Sequence, residues 1–292
     1  MQIKYITRAT GQIEEETPPA EGLLKFLYDN PIGKTALLPI VKRKFISALY
    51  GKQMDKPTST AKIQDFVADL DIDLSESQKS LNEFTSFNDF FYRRLKPNAR
   101  PIEKGFVSPG DGRLLAFERV ADLAHFFVKG EQFTLDKFLN NRQLAEQFRA
   151  ASLLILRLAP NDYHRYHFPY DGIPSETIAI KGSYYSVSPY AVANNFVRVF
   201  CGNKRAYCLL KTAEKGSVLI APIGATMVGS IIETYTPNQV MKKGTEMGYF
   251  AFGGSTIVLL VDREKVKIDA DLLENTRNQM ETFVKMGERI GI

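Results

Sequence analysis

Hydrophobic positions change their spacing twice along this chain. Leu23, Leu24, Phe26 and Leu27 recur at helical spacing. So do Leu37, Leu38, Ile40, Val41, Phe45, Ile46, Leu49 and Tyr50, after the break at Asn30-Pro31-Ile32-Gly33. The first twenty residues alternate briefly, turn acidic at Glu14-Glu15-Glu16 and stop at Pro18-Pro19, which reads as a loosely attached leader. Ile63, Phe66, Val67 and Leu70 predict a further helix. Ser86 is placed to cap another over 87–95, with Asp89 in capping-box register. Phe87, Phe90 and Phe91 on it read as core anchors.

Beyond Phe106 the period shortens to that of strands, separated by Gly and Pro. Strands are predicted at 113–119, 152–158, 176–180, 197–200, 206–211, 218–223 and 256–261, and a closing helix over 271–286. Short strands at close spacing with few helices between them argue for antiparallel pairing over a doubly wound sheet. The expected fold class is α+β, a β-rich antiparallel sandwich or barrel-like body with an N-terminal amphipathic helical region. The expected division is 1–100 for the leader and helical region and 101–292 for the body.

Composition narrows this little. The 292 residues are 44% hydrophobic with 20 Phe, enough for a sizeable core. A formal charge of +5 is too small to name a partner, and neither zinc-knuckle spacing nor an RNP-type aromatic string supports nucleic acid. Two cysteines, Cys201 and Cys208, point to a reducing compartment and not to a disulfide framework. The N-terminus lacks the apolar core of a signal peptide, and no apolar run approaches the roughly 20 residues of a bilayer crossing. Lys25, Lys34, Lys42, Arg43, Lys44 and Lys52 flank the first apolar groups. That suits an interfacial helix on anionic lipid, although an ordinary helix packed on its own domain has the same pattern.

Three segments could hold chemistry. Asp111 sits in Val107-Ser-Pro-Gly-Asp-Gly-Arg113, where a Gly-rich turn alone would account for it. His164 and His167 fall in Asp162-Tyr-His-Arg-Tyr-His-Phe-Pro169. No third ligand is evident for a metal, whereas two imidazoles of near-neutral pKa suit proton transfer, and a structural role is an even alternative. His125 reads as structural or surface. Ser255 lies in Gly253-Gly-Ser-Thr256, ahead of an apolar strand. The P-loop lysine is missing, and so is the Gly-x-Ser-x-Gly elbow, which leaves a turn or a nucleophile position.

In order along 87–262 these segments resemble the phosphatidylserine decarboxylase family. The resemblance is carried by Phe87-x-x-Phe-Phe-x-Arg-x-Leu, Ser108-Pro-x-Asp-Gly, Asp162-Tyr-His-Arg-x-His-x-Pro, Lys181-Gly-x-x-Tyr-Ser-Val, Ile223-Gly-Ala-x-x-Val-Gly-Ser-Ile, Lys243-Gly-x-Glu-x-Gly-x-Phe and the Gly-Ser-Thr of 254–256. Gly253 stands where many members have Leu, as in the branch with Gly-Gly-Ser-Thr.

The resemblance implies a precursor that cuts itself between Gly254 and Ser255, giving chains 1–254 and 255–292. Asp111, His167 and Ser255 would act as the charge relay. Ser255 would become a pyruvoyl group, the only cofactor, which binds the substrate amine as a Schiff base and serves as electron sink. His164 would move protons in decarboxylation or engage the substrate carboxylate. The implied product is phosphatidylethanolamine, made at the cytoplasmic face of a membrane by a peripheral enzyme docking through 21–52. The implied partners are phosphatidylserine in an anionic surface, the two cleaved chains as a heterodimer and a homodimer of these, with no nucleic acid. The alternatives are the same chemistry on a free, for instance aromatic, amino acid, a Ser-His-Asp hydrolase with a lasting Ser255 nucleophile, and a lipid-docking member without activity.

Overall fold

A computed structural model describes residues 3–16, 51–123, 133–183, 185, 197, 199–224, 231–253 and 255–292. His125, Gly254 and nearly all of the amphipathic region 21–52 lie outside the described residues. The strands are β1 (Ile3–Thr7), β2 (Gln12–Glu16), β3 (Phe106–Val107), β4 (Gly112–Phe117), β5 (Ser152–Leu158), β6 (Arg165–His167), β7 (Ile173–Pro174) and β8 (Ile178–Ile180). They continue as β9 (Arg205–Lys211), β10 (Ser217–Gly224), β11 (Ile231–Glu233), β12 (Glu246–Phe250), β13 (Ser255–Val261), β14 (Glu281–Val284) and β15 (Arg289–Gly291). The helices are α1 (Ile63–Asp69), α2 (Phe87–Phe91), α3 (Leu135–Leu139), α4 (Arg142–Gln147) and α5 (Ala270–Arg277).

Ten strands form one open sheet in the order β2-β1-β14-β4-β5-β13-β10-β9-β7, with β8 also on β9. Its pairs are antiparallel except β1 with β14. The β-rich, mostly antiparallel expectation holds in that form, but the described strands close no barrel. The central strand β13 lies between β5 and β10, and all seven of its residues are buried. Its side chains feed two cores. Val258 and Leu260 join Leu153, Ile155, Leu219 and the helical Phe138 and Leu144 on one face. Ile257, Leu259 and Val261 join Leu154, Leu156 and Ile220 on the other. Tyr166, Met247 and Phe250 of the small sheet β11-β12-β6 cover that second face. Covering on both faces is why β13 is continuously apolar and does not alternate.

Three expectations give way. Residues 3–16 are no loose leader, because β1 pairs with β14 and Glu16 reaches the buried Arg157 at 2.7 Å. Val197, Val199 and Phe200 are helical, since packing against Leu135 and Phe138 overrides the strand preference of a valine-rich run. The closing helix stops at Arg277. Gln279 turns left-handed at φ 60, and the chain becomes β14 with Thr282 and Val284 pointing inward.

A third cluster gathers Met54, Ile63, Phe84, Phe87, Phe90 and Phe91 from the helical section, with Phe252 packed on it. Ser86 caps α2 by accepting from Asp89 N at 3.1 Å, as the sequence predicts, although α2 ends at Phe91 and not at 95. This cluster is what fastens the helical section to the chain just before Ser255.

Candidate active site

Ser255 opens β13 at the end of the large sheet, opposite Leu158 of β5 and Gly224 of β10, and it is fully buried. The chain leaving β5 turns through 159–163 and brings His164 back over the serine. His164 Nδ1 lies 3.1 Å from Ser255 Oγ, and Nε2 lies 3.0 Å from Ala159 O. A carbonyl only accepts, so Nε2 carries the proton and Nδ1 presents a lone pair to the Ser255 hydroxyl. Burial, with the positive charge of Arg93, pulls the His164 pKa down to about 3, so the ring is neutral at pH 7.

Helix α2 completes this wall. Phe91 stacks on the His164 ring at 3.9 Å, so it meets the site as well as the core. Asn88 Oδ1 accepts from Phe252 N at 2.9 Å, and Phe252 stands edge-on to Phe87 and Phe91. The segment before Ser255 is thereby clamped at Phe252, while Gly253 takes φ 138, a region that an L side chain rarely enters.

A buried ion-pair chain holds the loop below. Arg157 pairs with Glu281 at 2.5 Å and with Glu16 at 2.7 Å, and Arg113 pairs with Glu16 and with Asp162. Asp162 also accepts from Ala159 N at 2.6 Å, which fixes the turn that delivers His164. Burial raises the Asp162 pKa against the pull of Arg113.

The other two expected relay members sit apart from this contact. His167 places Nδ1 3.0 Å from Gly244 O and Nε2 3.1 Å from the Tyr163 hydroxyl. Its pKa is lowered, chiefly by burial. Asp111 closes on Arg100, whose Nη2 is 2.6 Å away, and accepts from Met286 N at 2.8 Å. Gly112 beside it is required, because a Cβ there would stand 2.6 Å from Arg157 O. Among the described hydrogen bonds, Ser255 is joined to His164, and Asp111 and His167 are not joined to each other.

Asn88, Phe91, Arg93, Asp162 and Phe252 are site residues that patterning alone missed. The first three lie in the Phe-rich motif at 87–95, whose Asn and Arg have no place in a purely apolar anchor.

A buried serine that opens a strand against an imidazole, with glycines before it, has the geometry that nucleophilic attack by its hydroxyl requires. Comparison with known proteins gives the family. The family model described as phosphatidylserine decarboxylase matches residues 87–292. A protein from Fusobacterium nucleatum named phosphatidylserine decarboxylase proenzyme is 51% identical, over 99% of this chain and 97% of its own length. Proteins of the same name from Clostridium botulinum and Desulfitobacterium hafniense are 44% and 43% identical, over 99% of this chain and 98% of their own. The chain belongs to the phosphatidylserine decarboxylase family, carboxy-lyases that convert phosphatidylserine to phosphatidylethanolamine.

Proposed function

We propose that the chain cuts itself between Gly254 and Ser255, and that a pyruvoyl group left at residue 255 serves the decarboxylation of phosphatidylserine. The observation that carries this reading is the 3.1 Å contact between Ser255 Oγ and His164 Nδ1. The Ser255 hydroxyl attacks the Gly254 carbonyl while Nδ1 takes its proton, and the amide becomes an ester. β-Elimination releases the carboxylate of 1–254, and the dehydroalanine at 255 takes up water and loses ammonia. The two chains stay together as a heterodimer because β13 and β14, from 255–292, are central strands of a sheet otherwise built from 1–254.

The residues present fit such a group, since its parent serine stands at the strand start against an imidazole with a fixed tautomer. When formed, the pyruvoyl group supplies a carbonyl that takes up the substrate amine and draws electrons as carbon dioxide leaves. His164 Nδ1 carries no proton at rest, so it serves the reacting carbon by first taking up a proton and then returning it. Phe91 against its ring keeps water out.

A second reading has its own support. Protonating His164 so far below its ordinary range is costly, about 5 kcal/mol by the size of the shift. At His167 burial also lowers the pKa, but the Gly244 carbonyl, Glu246 and Asp111 pull it back upward. In this reading Asp111, His167 and Ser255 form the cleavage relay, and His164 acts only in decarboxylation. Docking is proposed to be peripheral, on an anionic surface at the cytoplasmic face, through the basic region 21–52. Among the described residues no helix is long and apolar enough to cross a membrane.

Intact mass of wild type, Ser255→Ala, His164→Ala and His167→Ala tests these readings. Wild type is expected as two chains and Ser255→Ala as one of about 32.9 kDa. An uncut His164→Ala beside a cut His167→Ala assigns the base to His164, and the reverse assigns it to the relay. A wild type that stays whole yet releases carbon dioxide from phosphatidylserine refutes the self-cutting mechanism.

A further inference from the structure

Two residues beyond Phe91 the chain buries Arg93, 6% exposed. Its Nη2 donates to Asn161 O at 3.2 Å, but its Nε and Nη1 are buried and find no hydrogen-bond partner among the described residues. The Phe90 ring lies 5.4 Å from the guanidinium carbon. Arg100, Arg113 and Arg165 each have an ion-pair partner, in Asp111, Asp162 and Glu246. Arg113 Nε also lacks a hydrogen bond but lies 3.2 Å from Glu16, whereas no carboxylate is paired with Arg93 among the described residues. Burial lowers the Arg93 pKa, yet an arginine keeps its proton. A desolvated cation with two idle donors is an arrangement that folding alone disfavours.

The location gives it a use. Asn161, which Arg93 touches, belongs to the same turn as Ala159, which fixes the His164 tautomer. Phe91, on the helix that leads to Arg93, lies against the His164 ring, and the charge of Arg93 helps keep that ring neutral. The Arg93 guanidinium is therefore close enough to the imidazole that meets Ser255 for its charge to act on that ring.

We propose that Arg93 receives an anionic oxygen of the substrate on Nε and Nη1 and so holds the lipid headgroup against residue 255. This rests on the reading of Ser255 above. Phosphatidylserine offers two such groups, its carboxylate and its phosphodiester. Both would be charge-assisted partners for the guanidinium.

The test uses the self-processed full-length protein and dihexanoyl phosphatidylserine, with Arg93→Met and Arg93→Lys. Intact mass first establishes which of the two variants are cut, and KM is measured on the cut protein. Arg93→Met is expected to raise KM about ten- to a hundredfold, the range of one lost charged hydrogen bond, while keeping or raising Tm because an unpaired buried charge is gone. Arg93→Lys should recover part of the affinity. Dihexanoyl phosphatidylethanolamine, which keeps the phosphodiester and lacks the carboxylate, separates the sources. If its inhibition weakens in step with KM, the bound group is the phosphodiester, and unchanged inhibition assigns the carboxylate. An unchanged KM in Arg93→Met overturns the proposal. So does a fall in Tm with lost self-cutting, which would make Arg93 a structural or cleavage residue. Were wild type to release no carbon dioxide, the reading of Ser255 would fail. Direct binding of dihexanoyl phosphatidylserine to wild type and Arg93→Met would still decide the arginine.

Discussion

Lowering the pH should unfold this protein partly through His164. The perturbation is a shift from pH 7.5 to pH 5, made in the Ser255→Ala background so that one uncut chain is followed. The ring is fully buried and its pKa is held at about 3, against an ordinary 6.5. The folded pKa lies below the unfolded one, so the unfolded state takes up the proton first. Stability is complete above about pH 6.5 and falls as the pH drops toward 3, by about 1.4 kcal/mol per unit. Between pH 7.5 and pH 5 this amounts to about 2 kcal/mol from this one group. His167, also lowered by burial, acts in the same direction. Urea denaturation at both pH values, for Ser255→Ala and for Ser255→Ala with His164→Gln, isolates the His164 share because the His167 contribution cancels. The pH-dependent loss is expected to be about 2 kcal/mol smaller in the double variant. Equal losses in both would mean that His164 is not held neutral by its surroundings, and the tautomer argument for Ser255 would go with it.

Other sites give simpler outcomes. Gly253→Ala forces a side chain onto φ 138 and should cost about 1–3 kcal/mol in urea denaturation and slow self-cutting, followed by gel or mass over time. Arg157→Met leaves the half-buried Glu281 without its cation and Glu16 with Arg113 alone, for an expected loss of about 1–3 kcal/mol in the same assay. Deleting 21–52 should reduce sedimentation with anionic liposomes while self-cutting persists, and unchanged sedimentation would refute docking through that region.

Elements whose evidence is local are legible from the residues alone. The strands at 152–158 and 256–261 are legible because runs of Leu, Ile and Val bounded by Gly, Pro and Ala have few other uses. Ser86 was legible as a cap because its partner lies three residues away. The order of the motifs carried the family, and with it Ser255. Tertiary structure decided what depends on residues distant in the chain. Glu14-Glu15-Glu16 looks like an acidic leader until Arg157, some 140 residues on, supplies the buried partner of Glu16. The stretch 278–284 looks helical until β1 and β4 offer it a place in the sheet. The imidazole that meets Ser255 follows from the turn at 159–163, which Arg113 and Asp162 hold in shape. Spacing could nominate two histidines three residues apart, but only the path of that turn brings one of them within 3.1 Å of the serine.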